Sequence, residues 1–198
     1  MNTPKDPRPL PYRAAGQFAA LVTTVEPGQL DTPTPCHEFG IRALIAHVLG
    51  NTLAYPHIMQ GTYRAAEPGN VAEVPGDDWA AAYADAEEQL IVAGRAMDDR
   101  TLDRMVDLGF ATLPVRGALS AGVMETAAHT WDLRQALGSA HDLAPELAEF
   151  SLAFAHEALP PERRGASVPF EPVHPASQES DAYGRLAAWL GREVHVNA

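Results

Sequence analysis

The chain has 198 residues, 46% hydrophobic and 20% charged, enough for one well-buried domain with nothing that requires two. Its net charge of −12 comes without the basic stripe that nucleic-acid phosphates need, and its apolar runs stop well short of the roughly 18 residues of a membrane span. Cys36 is the only cysteine, which rules out an internal disulfide, and the early prolines Pro4, Pro7, Pro9 and Pro11 leave no apolar signal core, so a reducing cytoplasm is the expected compartment.

Helical periodicity dominates and strand signals are scarce. The first expected helix spans Arg13 to Val25 and closes at Glu26-Pro27-Gly28. Asp31-Thr32-Pro33-Thr34-Pro35 reads as a stiff turn, because proline does not fit a helix interior. Gly40 then stands as the N-cap of a second helix with an apolar stripe of Ile41, Leu44, Ile45, Val48 and Leu49. Gly61 to Gly76 reads as loop. Asp77 or Asp78 caps a third helix to about Met97, with Trp79, Tyr83, Leu90 and Ile91 at helical spacing. Asp98 to Pro114 is expected to be irregular or briefly extended. A fourth helix runs from about Pro114 to Leu137 and stops at Gly138. Shorter helices are expected over Pro145–Leu159 and Ala182–Leu190, joined by a proline-rich connection from Pro160 to Pro175.

The fourth helix carries the chemistry. Glu125 and His129 are four residues apart, so their side chains share a face and lie within reach of each other. At about 100° per residue, Ala118, Ala121, Gly122, Asp132 and Ala136 fall on that face, making it acidic and small where a plain core helix would carry Leu and Ile. It reads as one wall of a site. Such a pair also occurs as an ordinary solvated contact worth about 0.2–0.5 kcal/mol, so a second element is needed before it becomes a metal site. Four long helices joined by loops point to a helix bundle, whose interior is a usual place for metal ligands. His47 is the only histidine inside the second helix before its last turns, at the stripe's margin in a row with Leu44, Asn51 and Tyr55. A lone histidine there is by default a boundary residue.

Two stretches carry a resemblance. Thr34-Pro35-Cys36 followed by Ile41-Arg42-Ala43-Leu44-Ile45-Ala46-His47-Val48-Leu49-Gly50 resembles the opening motif of the mycothiol-dependent maleylpyruvate isomerase family, N-terminal metal-binding domain, within the DinB-like superfamily. Glu125, His129, Trp131-Asp132-Leu133 and Gly138 resemble its second motif, and Arg185-Leu186-Ala187-Ala188-Trp189-Leu190-Gly191-Arg192 resembles the ending of a short actinobacterial branch mostly of unknown function. The similarity spans nearly the whole chain. It departs at Phe39, where tryptophan is common, at Gly40, Ala43 and Thr130, and at Arg134, which replaces a small residue. The characterised isomerase carries a further C-terminal domain that helps to form its active site. The region after Leu159 reads as too short for one, so that specific isomerase activity is not expected from the resemblance.

The resemblance implies an all-α, DinB-like four-helix bundle with short additional C-terminal helices. We take it as a single domain over residues 1–198, with the bundle at about 11–159 and an extension at about 160–198. It also implies one divalent metal on His47, Glu125 and His129, zinc first, with nickel, iron or cobalt compatible with two imidazoles and a carboxylate. An open coordination position would take an exogenous low-molecular-weight thiol, mycothiol or a relative, as cosubstrate for attack on a small electrophile in a transferase or isomerase. Asp132, one turn beyond His129, is the candidate catalytic residue, orienting a ligand or acting as acid or base. Its alternative is an exposed helix charge or a contact to Arg134 or Arg100. Asn51 and Tyr55 are placed near the pocket, Tyr55 mainly as packing, and Cys36 is not needed as nucleophile. His37, His57, His141, His156, His174 and His195 lie near loops or helix ends and are not assigned to the site. The alternative function is a non-catalytic metal-binding sensor or partner-binding bundle, or a small-molecule pocket without metal. The substrate, and the choice between monomer and homodimer, are not written in the sequence.

Overall fold

The computed structural model describes residues 6–64, 74, 76, 78–109, 111–164 and 170–194. The expected caps divide accordingly, for Asp77 lies outside the described residues, as does His195. Among the described residues, six α-helices follow in order: α1 Pro9–Val22, α2 Ile41–Gln60, α3 Trp79–Ala96, α4 Val115–Leu137, α5 Pro145–Ala158 and α6 Ala182–Trp189. Between α3 and α4 a short 3₁₀ turn, Asp99–Asp103, leads into a two-stranded antiparallel hairpin, β1 Met105–Asp107 and β2 Thr112–Pro114, with Val106 opposite Leu113. The chain is an all-α bundle of the kind the resemblance implies. No helix among the described residues is long and apolar enough to cross a membrane.

Helix α1 begins four residues before the expected start. Pro9 and Pro11 sit in its first turn, where backbone N–H groups have no intrahelical partner and a missing donor costs little. It also ends earlier, because Thr24 and Val25 donate to Leu21 and Val22 in tight i→i+3 turns. Helix α2 starts without a side-chain cap at Gly40. Its orphan donors go instead to the proline-rich turn, with Ile41 N–H on the Thr32 carbonyl at 3.0 Å and Arg42 N–H on Leu30 at 2.9 Å. The turn thus caps the helix that carries His47. Asp78 caps α3 by accepting from Ala81 N–H at 3.2 Å.

Helix α1 packs against α3 and α4, and α2 packs against the same two, so α1 and α2 lie diagonally across a four-helix bundle. One end of its core holds Phe18, Leu21, Ile41, Leu44, Ile45, Leu49 and Tyr83, and the hairpin end holds Tyr55, Ile58, Leu90, Val115 and Leu119. Each such large side chain, fully buried, contributes about 1.5–3 kcal/mol of transfer free energy. Helices α5 and α6 add a layer on the far side of α4, built from Trp131, Ala148, Ala155, Tyr183, Leu186 and Leu190. Helix α4 is therefore enclosed, and residues 126–133 are all buried. Its polar residues respond by bonding back into the helix, Thr130 Oγ1 to the Thr126 carbonyl at 2.7 Å and Ser120 Oγ to that of Arg116 at 2.8 Å. The small residues of α4 serve this two-sided packing.

Candidate metal centre

The cluster lies where α2 and α4 face each other. His47 Nε2 is 2.5 Å from Glu125 Oε1, and His129 Nε2 is 3.8 Å from the same oxygen. One ligand atom from each of the three residues falls within 4.8 Å of the other two. The pairing of Glu125 with His129 follows from helix spacing, and the packing of α2 on α4 brings in His47. Asn51, one turn after His47 on α2, donates through Nδ2 to both carboxylate oxygens of Glu125 at 2.6 Å. Phe39 stacks on the His47 ring at 4.8 Å and meets His129 edge-on at 6.0 Å, so the aromatic residue that departs from the family pattern still covers both imidazoles.

Asp132 is fully buried, which excludes the exposed helix charge of the alternative reading. Its Oδ2 lies 3.0 Å from His129 Nδ1, and the same carboxylate takes Arg192 Nη2 at 3.0 Å and Nε at 3.3 Å. The basic partner is Arg192, not Arg134 or Arg100. Arg134 instead reaches Asp181 at 3.5 Å and the Ser139 carbonyl. An ionised carboxylate can only accept, so His129 donates from Nδ1 and turns Nε2 toward Glu125 and His47. Burial alone would raise the Asp132 carboxyl, but the His129 hydrogen bond and the Arg192 charge outweigh it and hold the group below the usual carboxylate range. Glu125 follows the same logic. Burial opposes its charge, yet the bond to His47, the charges of His129 and His47 and the Asn51 amide bring its pKa below the ordinary value. Burial pulls the His47 imidazole down, and its bonded Glu125 partner pulls it up by more.

The three groups line a cavity of about 610 Å³. Its walls come from the turn before α2 (Cys36, His37, Phe39), from α2 and α4, and from the C-terminal segment through Arg164, Phe170 and Arg192. Sequence reasoning missed two of these contributions. His37, a loop residue that the sequence leaves outside the site, lines the cavity, and the segment after Leu159 supplies one wall. Thr34 Oγ1 folds the turn before α2 by donating to the Cys36 and Phe39 carbonyls at 3.1 and 2.7 Å. Cys36 is buried, and burial pushes its thiol pKa up.

The expected space beside Gly122 is not there. A Cβ at Gly122 would sit 1.7 Å from the Tyr55 hydroxyl, so the glycine receives the tyrosine ring, and Ala118 is buried in the apolar core around it. Room for a ligand lies instead beside Ala128 and His129. Glu125 itself is not sealed in the bundle, its side chain being 26% exposed toward the cavity.

The donor set fits a divalent ion. Two imidazole Nε2 atoms and a carboxylate are a three-ligand set of the kind that leaves a position for a small molecule, and the carboxylate behind His129 is the usual support of a metal-bound imidazole. His129 also belongs to a second cluster with Cys36 and Asp132. That one already holds the Arg192 cation on its carboxylate, which leaves no net charge to attract a metal.

A family model described as the mycothiol maleylpyruvate isomerase N-terminal domain matches residues 12–134, which contain α2, α3 and most of α1 and α4. Two uncharacterised proteins, from two strains of Mycobacterium tuberculosis, are each 34% identical over 191 residues, 96% of this chain and 99% of theirs. No solved structure matches.

Proposed function

The chain belongs to the mycothiol maleylpyruvate isomerase N-terminal domain family, and from that premise we propose that it is a divalent-metal-dependent enzyme using a low-molecular-weight thiol of the mycothiol type. His47, Glu125 and His129 would hold the ion, most readily zinc. The observation that carries this reading is the convergence of their three donor atoms within 4.8 Å on the wall of a cavity. A bound divalent ion supplies Lewis acidity that lowers the pKa of a coordinated thiol.

The protein's own groups orient and cover the site. Asn51 fixes the Glu125 carboxylate, Asp132 holds the His129 ring through Nδ1–H, and Phe39 covers the His47 face that stacks against it. Asp132 has no access to the cavity, so it is a positioning residue for His129 and does not act on substrate as acid or base. The cavity beside Ala128 is where the thiol and a small electrophile would bind. In a transfer the S–H bond breaks as sulfur bonds to the electrophilic carbon. Either a π bond of the electrophile opens and its carbanion or oxyanion takes up the proton, or a leaving group departs with its bonding pair and the proton goes to it or to solvent.

Elemental analysis of tag-free protein and a conjugation assay with a model electrophile test this reading. One zinc per chain is expected, with thiol-dependent turnover above background that is lost in His47→Ala. Cys36→Ser should retain turnover, because a buried thiol with a raised pKa is a poor nucleophile and the reacting sulfur arrives from solution. Loss of turnover in Cys36→Ser with zinc still bound would move the nucleophile onto the protein. Zinc uptake with no thiol-dependent turnover would make the chain a non-catalytic metal-binding bundle.

A further inference from the structure

The C-terminal segment delivers Arg192 under close constraint. After α6 the chain turns through Gly191, whose φ of +91° is a left-handed conformation that side chains rarely adopt. A Cβ there would meet Glu171 Cβ at 2.6 Å and its carbonyl at 2.8 Å, so the turn is pressed against residue 171. Arg164 ties the same stretch down, donating to the Glu171 carbonyl at 2.7 Å and to that of Leu159 at 3.3 Å. Arg192 N–H closes on the Ala187 carbonyl at 2.9 Å, and buried Leu186 and Leu190 pack α6 into the layer that contains Trp131. The side chain that emerges is 11% exposed and reaches back sixty residues to Asp132.

All three guanidinium nitrogens are engaged. Nη1 donates to the Leu190 carbonyl at 3.2 Å, and Nη2 and Nε grip the two oxygens of Asp132. A two-point grip fixes the plane of the carboxylate as well as its position, which a single contact would not. With that plane fixed, Oδ2 is aimed at His129 Nδ1. Without Arg192, the buried carboxylate would keep only the His129 bond to set its rotation.

We propose that Arg192 is a positioning residue for the metal centre, acting through Asp132 on the His129 ring, so that the C-terminal segment is part of the site. This rests on the metal reading above for its consequence, while the Arg192–Asp132–His129 chain can be tested without metal.

The test measures zinc affinity of the full-length protein by competition with a chelating dye, together with the nitrogen and proton NMR signals of the His129 ring in the zinc-free state. Arg192→Gln should weaken zinc roughly 10–100-fold, the usual cost of losing an outer support of a metal ligand. It should also shift the His129 ring signals. Arg192→Lys keeps the charge but not the fork, and should fall between wild type and Arg192→Gln in both readouts. Arg185→Gln is the control, since Arg185 bonds the Ser180 carbonyl in the same segment without touching Asp132. It should leave zinc affinity unchanged. Wild-type affinity and unchanged ring signals in folded Arg192→Gln would overturn the proposal, as would an equal loss in Arg185→Gln. If Arg192→Gln does not fold, Arg192→Lys decides by the same two readouts. If the wild type takes up no zinc, the metal reading fails, and the ring signals alone decide whether Arg192 positions His129.

Discussion

Glu125→Gln is expected to abolish specific zinc binding and, with it, the metal-dependent part of thermal stability. The substitution keeps the side-chain shape and an oxygen for the Asn51 amide, but removes the only negative charge among the three donors. Loss of affinity should exceed the roughly 10–100-fold typical of outer supports, because a ligand itself is changed. With free zinc at 100 times Kd, mass action stabilises the wild type by about 2.7 kcal/mol. For a chain of this length that is a Tm rise of roughly 5–11 °C. The rise should vanish in Glu125→Gln. The metal-free wild type should still fold cooperatively, because Glu125 is paired with His47 and Asn51 and is not an orphaned anion. Melting curves with zinc and with a chelator, for both proteins, provide the measurement. An equal zinc-dependent rise in the two would place the stabilising ion elsewhere on the molecule.

Helix-level features were legible because their causes are local. The stripe of α2, the Asp78 cap and the stop of α4 at Gly138 each depend on residues within two turns. So does the pairing of Glu125 with His129, which is fixed by a helical repeat of 3.6 residues. His47 was less accessible, since nothing in spacing links residue 47 to residue 125; family resemblance supplied that link. The early start of α1 was hidden by prolines that read as helix breakers but suit a first turn. The hardest element was Arg192. It reaches Asp132 because α6 docks on α5 and α4, and only that packing selects it over Arg134, which is two residues away in sequence. The same packing buries α4 on both sides, which helix periodicity alone does not register, and its small residues serve that packing.

Gly122 shows that difference in one residue, and Gly122→Ala is expected to destabilise the fold by about 2–3 kcal/mol or more. By helix propensity alone the change should stabilise α4 by up to about 1 kcal/mol. Packing decides against it. The new methyl would lie 1.7 Å from the Tyr55 hydroxyl and 2.4 and 2.5 Å from two ring carbons, and Tyr55 is 4% exposed with no route to solvent. Removing the hydroxyl alone would leave both carbon clashes, so Tyr55→Phe should rescue little. Tyr55→Ala is costly by itself, about 3–5 kcal/mol for a buried aromatic, yet it empties the space the methyl needs. The double variant Tyr55→Ala/Gly122→Ala should therefore be more stable than the sum of the single effects by more than about 1 kcal/mol. Urea unfolding of the four proteins measures this. Additivity within about 0.5 kcal/mol would mean that Gly122 does not receive the Tyr55 ring, and the small face of α4 would again be open for a ligand beside Glu125.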